Sequence, residues 1–206
     1  MRKKTATSSS LLFPSNPDGD TFSYERSLIK QGLPHVAGVD EAGRGPLAGP
    51  VVAGCVILPT EPEAQYYRDS KKLTANQRDK LYAALHDSNA IIGVGITEPA
   101  EIDRINILQA SLLAMQRAVL NCKKKSGISP DFLLVDGTFK VPMELPQQPL
   151  TKGESKSASI AAASIIAKVT RDRLMAEYHL QYPQYNFTQH KGYPTKAHRA
   201  AIAEFG

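Results

Sequence analysis

The sequence predicts an α/β or mixed α+β sandwich, in which helices cover a single β-sheet. Two observations lead to this class. Short β-branched runs alternate along the chain with segments of helical period, and 206 residues with 42% hydrophobic side chains are enough for one core. We therefore expect one domain over residues 21–206. Residues 1–20 are rich in Ser, Thr, Pro and charge without an apolar period, so we expect a mobile tail there.

The first elements of the predicted domain are two helices and two strands. A short helix is expected over residues 22–31. Two β-branched runs, 36–40 and 51–58, flank a segment with three glycines, which indicates two strands joined by a glycine-rich turn. Thr74, with Gln77 three residues later, has the pattern of a capping box, so a helix should begin there.

The remaining elements continue the alternation. Residues 90–97 are predicted to form a strand. Apolar residues at spacings of three and four then indicate a helix with one buried face: Ile105, Leu108, Leu112, Met115 and Val119. That helix should end at Gly127. Residues 131–136 predict a buried strand closed by Asp-Gly, and the proline-rich residues 141–150 predict a connection. The longest predicted helix, 157–182, starts with small apolar residues, as expected for close packing on a sheet.

The charge of the chain favours a polyanionic partner. Lys and Arg number 25 against 20 Asp and Glu, and residues 150–206 hold eight of the basic and four of the acidic side chains. Contacts from basic residues to phosphates confer affinity and salt dependence rather than sequence preference. The candidates for such contacts in this part of the chain are Lys152, Lys156, Lys168, Arg171, Lys191, Lys196 and Arg199.

Composition also excludes several classes of protein. Two cysteines, Cys55 and Cys122, are too few for a disulfide framework or a metal cluster and are expected to pack in the core. The longest uncharged stretch, residues 45–60, contains three prolines and is shorter than the ~20 apolar residues that a membrane-spanning helix needs. No secretory apolar run follows the first residues. We therefore expect a soluble, cytoplasmic protein without membrane contact.

Four acidic residues are candidates for chemistry. Asp40 and Glu41 lie in the most apolar and glycine-rich part of the chain, where an unpaired carboxylate would cost several kcal/mol. Asp136 ends a predicted buried strand, and Glu154 precedes the longest helix. Carboxylate oxygens suit a hard divalent cation, Mg²⁺ or Mn²⁺. Successive strand residues face opposite sides, so Asp40 and Glu41 can share one site only if the strand ends or bends at Glu41.

Each of these acids also has a structural interpretation. Asp40 and Glu41 could serve in a turn or an ion pair, and Asp136 could belong to an ordinary Asp-Gly turn. Asp172 competes with Glu154 as a fourth acid, although its setting between two arginines favours an ion pair with a neighbouring base. A phosphate-binding loop is not indicated, because the glycine-rich segment lacks the Lys-Ser/Thr that such loops carry.

Five segments, in this order, are similar to the ribonuclease HII family: GVDEAGRGPLAGPVVAG at 38–54, DSKKLT at 69–74, LLVDG at 133–137, SIAAASIIAKVTRD at 159–172 and HKGYPTKAH at 190–198. The resemblance implies a ribonuclease H-like fold, with a mixed central β-sheet flanked by helices and a C-terminal helical segment. It also implies a divalent-metal-dependent endonuclease that leaves 3′-hydroxyl and 5′-phosphate ends. The family's acids correspond to Asp40, Glu41, Asp136 and Glu154, although the fourth is more often Asp than Glu in the family.

The same resemblance implies how substrate is recognised. The substrates would be RNA–DNA hybrids and duplex DNA with embedded ribonucleotides, and selection must read the 2′-hydroxyl. The family reads this group with its glycine-rich segment and packs a tyrosine at the ribose. Substrate contacts are accordingly expected from Gly43, Arg44, Gly45, Lys71, Lys72, Ser155 and Tyr193. Turn geometry alone is the alternative for the glycines, and packing on the core is the alternative for Tyr193.

Two other functions stay open at this level. A non-catalytic nucleic-acid-binding module could use the acids for a structural ion, and a metal-dependent nuclease could cut without ribonucleotide selectivity. Oligomeric state has no signal of its own in the sequence. We expect a monomer because a small nuclease must admit a duplex.

Overall fold

A computed structural model describes residues 20–59, 67 and 73–206 of the chain. The predicted tail, residues 1–20, lies outside the described residues except for Asp20. The described helices and strands are, in chain order, α1 (Ser23–Lys30), β1 (Val36–Ala42), β2 (Val51–Ile57), α2 (Ala75–Asp87), β3 (Ile91–Thr97), α3 (Pro99–Ile105), α4 (Ile107–Ser126), β4 (Phe132–Asp136), β5 (Gln147–Leu150), α5 (Ala158–Gln181), α6 (Phe187–His190) and α7 (Lys196–Phe205).

The five described strands form one mixed sheet in the order β3-β2-β1-β4-β5. The first three strands pair antiparallel, whereas β1–β4 and β4–β5 are parallel. The mixed sheet predicted from the sequence is therefore present. Because β1 and β4 run in the same direction at the centre of the sheet, their carboxyl ends lie side by side.

Helices α4 and α5 pack on opposite faces of the sheet. One apolar cluster joins Ala37 and Val39 of β1 to Ala114 and Ala118 of α4. On the other face, small residues of α5 approach the strands so closely that a Cβ built on Gly38 would lie 2.2 Å from the main-chain nitrogen of Ile160. Only glycine fits at position 38, because the main chain of α5 lies directly against β1 there.

The observed bounds confirm most predicted elements. Helix α2 begins with the capping box of Thr74 and Gln77, and α4 ends at Gly127 in a left-handed conformation. Both cysteines are free and buried. None of the helices in the described part of the chain is long and apolar enough to cross a membrane.

Two elements differ from the prediction. The helix predicted through Ile105 is in fact two helices, because Asn106 adopts φ 70° and ends α3 while its side chain accepts hydrogen bonds from the first amides of α4. Ile105 therefore belongs to α3. The proline-rich connection contains β5, which is an edge strand of the sheet and so can accommodate Pro149.

Candidate active site

The centre of the site is the pair of parallel strand ends of β1 and β4. Val39 and Val135 are the last residues in the parallel register, and Asp40 and Asp136 follow them directly. Neighbouring residues of parallel strands point to the same face of a sheet, so both carboxylates lie on the face covered by α5. Asp40 is 4% exposed, and Asp136 is half-buried.

A short 3₁₀ turn, Gly153–Ser155, brings the third carboxylate to the same place. The main-chain N–H of Gly153 donates to Asp136 Oδ1 at 2.7 Å, which fixes this turn against the end of β4. Glu154 is 4% exposed, and its Oε2 accepts a hydrogen bond of 3.0 Å from the hydroxyl of Ser164 on α5. Glu154 is thus held between the turn and the helix.

Asp40, Asp136 and Glu154 form a group that could hold a metal ion. Each contributes one carboxylate oxygen, and these oxygens lie within 4.8 Å of one another. Three oxygen donors from separate elements, two of them buried, match the preference of a hard divalent cation. The donor set therefore fits Mg²⁺ or Mn²⁺, the ions expected from the sequence.

Glu41 lies beside this group rather than within it. Strand β1 continues one residue past Glu41, which pairs with Ala53, instead of ending at Glu41 as expected, so the side chains of Asp40 and Glu41 leave the strand on opposite faces. Together with Asp136, Glu41 lines a cavity of about 150 Å³ on the α4 face, and Arg44 Nη1 donates to Glu41 Oε1 at 3.3 Å. Glu41 also lines the cavity that Asp40 lines, because both lie at the C-terminal end of β1.

The electrostatics of the cluster favour a bound cation. Burial raises the pKa of Asp40 well above its ordinary value, and the negative charges of Glu41, Asp136 and Glu154 raise it further. Burial also raises the pKa of Glu41, although the Arg44 guanidinium opposes that change. A divalent ion would remove this mutual repulsion and let the carboxylates stay ionised.

A cavity of about 230 Å³ is lined by three of the four acids, Asp40, Glu41 and Glu154. Its walls include three residues of the glycine-rich turn, Gly43, Arg44 and Gly45, together with Tyr193. Tyr193 is 45% exposed, so the alternative in which it packs on the core is wrong. The acids, the glycine-rich turn and Tyr193 therefore line one open site.

Comparisons with known proteins agree with this geometry. The sequence profile described as Ribonuclease HII matches residues 37–206. The chain belongs to the ribonuclease HII family. It is 56% identical over 191 residues to the Ribonuclease HII of Desulfotalea psychrophila, covering 91% of this chain and 83% of that protein. It is 52% identical over 195 residues to the Ribonuclease HII of Geobacter sulfurreducens, covering 95% and 88%.

A solved structure supports the fold. The crystal structure of the ribonuclease H2 from Pyrococcus horikoshii OT3 matches with a TM-score of 0.67 and 30% identity, over 82% of this chain and 85% of that one. The ribonuclease H-like fold is thereby confirmed. As a ribonuclease HII, the protein is a metal-dependent endoribonuclease of the ribonuclease H type that acts on RNA–DNA substrates. The non-catalytic binding module considered from the sequence is therefore wrong.

Three predicted substrate contacts lie away from this cavity or outside the described residues. Lys71 and Lys72 fall in the part of the chain that the structure leaves undescribed. Ser155 is adjacent to Glu154, but its exposed hydroxyl donates to the carbonyl oxygen of Lys152 at 2.8 Å. All three stay predictions.

Two other residues of the site do not stand out in the sequence. Arg78 and Ser164 line the 230 Å³ cavity, as does Lys168, one of the predicted phosphate-contacting cations. Ser164 and Lys168 are four residues apart on α5, so helical spacing applied to polar residues would have placed them on one face. Lys168 Nζ also lies 2.7 Å from Asp172 Oδ1, which confirms the ion pair predicted for Asp172.

Arg171 requires a correction to the predicted set of phosphate-contacting cations. It is 1% exposed and its guanidinium donates to three main-chain carbonyl oxygens. The surrounding main chain buries the guanidinium, so Arg171 cannot contact a phosphate of the substrate. A count of basic residues cannot reveal such burial.

Proposed function

We propose that the protein hydrolyses the RNA strand of RNA–DNA hybrids and cuts duplex DNA at embedded ribonucleotides, with a metal centre formed by Asp40, Glu41, Asp136 and Glu154. The observation that supports this centre best is the approach of three carboxylate oxygens to within 4.8 Å of one another. The open cavity lined by Asp40 and Glu154 would give a phosphodiester access to that group.

The proposed metal is Mg²⁺ or Mn²⁺. When bound, such an ion activates a water molecule and stabilises the negative charge that develops on the phosphoryl and leaving oxygens. Asp40, Asp136 and Glu154 would hold it, with Glu41 at the side of the group. The hydrogen bonds from Gly153 to Asp136 and from Ser164 to Glu154 orient the carboxylates for this role.

Selection of ribonucleotides is proposed to occur between the glycine-rich turn and Tyr193. The two approach closely, since a Cβ built on Gly45 would lie 3.5 Å from Cε1 of the Tyr193 ring. Main-chain groups of Gly43, Arg44 and Gly45 can then reach a 2′-hydroxyl while the ring packs on the ribose. A deoxyribose offers no such partner, so the bonds that favour a ribonucleotide would be lost.

Cations around the cavity are proposed to contact phosphates. Arg44, Arg78 and Lys168 line it, and Lys168 Nζ lies 6.0 Å from the centroid of the Tyr193 ring. Lys71 and Lys72 are proposed to add to this surface, and Ser155 to contact the strand next to Glu154. Such contacts give affinity that falls with salt concentration.

The remaining features of the proposal concern the whole chain. Residues 21–206 would form a single catalytic domain. The protein would act as a monomer in the cytoplasm. A sedimentation experiment at micromolar concentration tests the monomer, and a stable dimer would contradict it.

A cleavage assay tests the metal centre. The protein is incubated with Mg²⁺ or Mn²⁺ and three substrates: an RNA–DNA hybrid, a DNA duplex with one ribonucleotide, and an all-DNA duplex. We expect cleavage of the first two alone, and a loss of roughly 100-fold or more in Asp40→Asn. Asp87→Asn, which changes an exposed aspartate at the end of α2, is the matched control. Full activity in Asp40→Asn, or equal cleavage of the all-DNA duplex, would contradict the proposal.

A second variant tests ribonucleotide selection. Tyr193→Ala should lower cleavage at the single ribonucleotide by roughly 10–100-fold, because the ribose loses its packing partner. The Mn²⁺ concentration for half-maximal cleavage should not change, since the variant keeps all four proposed metal-binding carboxylates. Tyr182→Ala removes a tyrosine of similar exposure, 48% against 45%, and should cleave normally.

A further inference from the structure

Arg171 is the largest fully buried side chain in the described part of the protein. It lies on α5, one turn beyond Lys168, and its helix neighbour Arg173 is by contrast more than half exposed. Burial lowers the pKa of Arg171, yet a guanidinium remains protonated in proteins. A buried charge is costly unless its hydrogen bonds are satisfied, so the hydrogen-bond partners of Arg171 indicate why the charge is kept there.

Those partners come from two segments that are distant in sequence. Arg171 Nε donates to the carbonyl oxygen of Pro50 at 2.9 Å, and Nη2 donates to that of Ala48 at 3.0 Å. Nη1 donates to the carbonyl oxygen of Lys191 at 2.9 Å. The first two acceptors close the glycine-rich turn, and the third lies two residues before Tyr193. One rigid group therefore joins the two segments proposed to bind the ribonucleotide.

Glycines allow the backbone to surround the guanidinium this closely. A Cβ built on Gly43 would lie 2.7 Å from Arg171 Nε, and Gly43 itself has φ +115°. A Cβ built on Gly192 would lie 2.3 Å from the carbonyl oxygen of Ala48, across the same junction. The N–H of Leu47 also donates to the carbonyl oxygen of Gly192 at 2.8 Å. The glycine-rich turn and the segment before Tyr193 are therefore in direct main-chain contact, and both also accept hydrogen bonds from Arg171.

We propose that Arg171 is a positioning residue that sets the distance between the glycine-rich turn and Tyr193, and through it the preference for a ribonucleotide. This inference rests on the proposed role of these two segments in substrate binding. The planar guanidinium has donors in a fixed fork, so it holds three carbonyls at set angles. The single ammonium of a lysine cannot reproduce that arrangement.

The principal test is Arg171→Lys, alone and combined with Tyr193→Ala. Arg171→Lys should lower kcat/KM at a single ribonucleotide by roughly 10–100-fold, because a displacement of about 1 Å has an effect of this size. The Mn²⁺ concentration for half-maximal cleavage should stay the same. In the Tyr193→Ala background the further loss should be less than about 3-fold, since both changes disrupt the same contact. Arg173→Lys is the matched control and should cleave like the wild type.

A second variant keeps the test valid if Arg171→Lys does not fold, which its melting curve would show. Gly192→Ala retains Arg171 but forces the two segments apart at the contact with Ala48. It should give the same selective loss and the same non-additivity with Tyr193→Ala.

The outcomes separate the inference from the function on which it rests. Failure of the wild type to prefer ribonucleotides, or normal cleavage by Tyr193→Ala, would refute the proposed selection step and the inference with it. Normal selection by Arg171→Lys, fully additive losses, or a parallel loss of metal affinity would refute the inference alone.

Discussion

Each carboxylate at the centre of the site is oriented by a different donor. The N–H of Glu41 donates to Asp40 Oδ1 at 2.7 Å, the N–H of Gly153 donates to Asp136, and the hydroxyl of Ser164 donates to Glu154. Two of these donors are main-chain groups that substitution cannot remove without moving the backbone. The third is a side chain, so the support of Glu154 can be tested separately.

Ser164→Ala should weaken divalent-ion binding by about 10-fold, because the hydroxyl that orients Glu154 is lost while the carboxylate stays. The measurement is cleavage against Mn²⁺ concentration, supported by calorimetric titration of Mn²⁺. Maximal cleavage at saturating Mn²⁺ should remain near the wild-type level. Ser126→Ala serves as the control, because it removes a hydroxyl on α4 that donates to the main-chain carbonyl oxygen of Cys122. An unchanged Mn²⁺ requirement would show that Ser164 does not support the metal site.

Sequence reasoning succeeds at the residue scale where position in an element determines what a side chain does. Asp136 could be predicted because it ends an apolar strand, and Glu154 because it precedes the longest helix. Glu41 could not be placed in the same way, since a strand that continues by one residue turns its side chain to the opposite face. Arg171 was wrongly predicted to contact phosphate, because its burial depends on the carbonyl oxygens of Pro50 and Lys191, which are distant from it in sequence.

At the scale of elements, Glu25 joins α1 to the start of α5. Its Oε1 accepts hydrogen bonds from the hydroxyl of Ser157 at 2.6 Å and the N–H of Ser159 at 3.0 Å. Among the described residues, its Oε2 has no hydrogen-bond partner. Burial raises the pKa of Glu25 above the ordinary 4.5, against the opposing effect of these donors.

Glu25→Gln should therefore alter how stability depends on pH. Because the pKa of Glu25 is higher in the folded state, the folded protein holds the Glu25 proton at pH values where the unfolded chain has lost it. The resulting contribution of Glu25 to stability is complete below pH 4.5 and is lost as pH rises through the folded-state pKa. The free energy of unfolding of the wild type should fall relative to that of Glu25→Gln across this interval. Urea unfolding from pH 4.5 to pH 8 measures it, and parallel profiles would contradict the prediction.

The junction of α3 and α4 gives a second prediction at this scale. Asn106 combines φ 70° with a side chain that accepts from the N–H groups of Leu108 and Gln109. Asn106→Ala should destabilise the protein by about 1–3 kcal/mol, because it loses both bonds and keeps an unfavourable backbone conformation. Asn106→Gly relieves the conformation and should cost less. Chemical denaturation measures both, and equal losses would show that backbone strain is not involved.

Long periodic elements could be predicted from the sequence, and their interruptions could not. The stripe from Leu108 to Val119 identifies α4 because one face of that helix is buried. The break at Asn106 depends on a single left-handed residue, which periodicity does not detect. Strand β5 was missed because prolines argue against a strand, and its place at the edge of the sheet could be known only from the assembled sheet.

At the scale of the molecule, the site opposes the stability of the fold. The sheet brings Asp40, Asp136 and Glu154 together, where burial and like charge disfavour their ionised forms. A catalytic protein can tolerate this cost when an ion binds the folded state and not the unfolded chain. Stability and activity should therefore respond in opposite directions to loss of charge at this site.

Asp40→Asn should stabilise the metal-free protein at neutral pH while abolishing cleavage. Removal of a carboxyl whose pKa is raised in the folded state should add roughly 1–3 kcal/mol, which corresponds to about 2–12 °C in Tm for a chain of this size. The asparagine oxygen can still accept the N–H of Glu41. Mg²⁺ should raise the Tm of the wild type and change that of Asp40→Asn much less. Calorimetry with and without EDTA gives the comparison, and a lower Tm for the metal-free variant would contradict it.

Anomalous diffraction from crystals grown with Mn²⁺ tests most directly whether the three carboxylates hold the catalytic ion. In the wild type we expect an anomalous peak from a Mn²⁺ ion bound by Asp40, Asp136 and Glu154. The peak should be absent from Asp40→Asn crystals in which the hydrogen bond from Ser164 to Glu154 is retained. A Mn²⁺ ion bound elsewhere while these carboxylates remain without one, in crystals of active protein, would contradict the proposed metal centre.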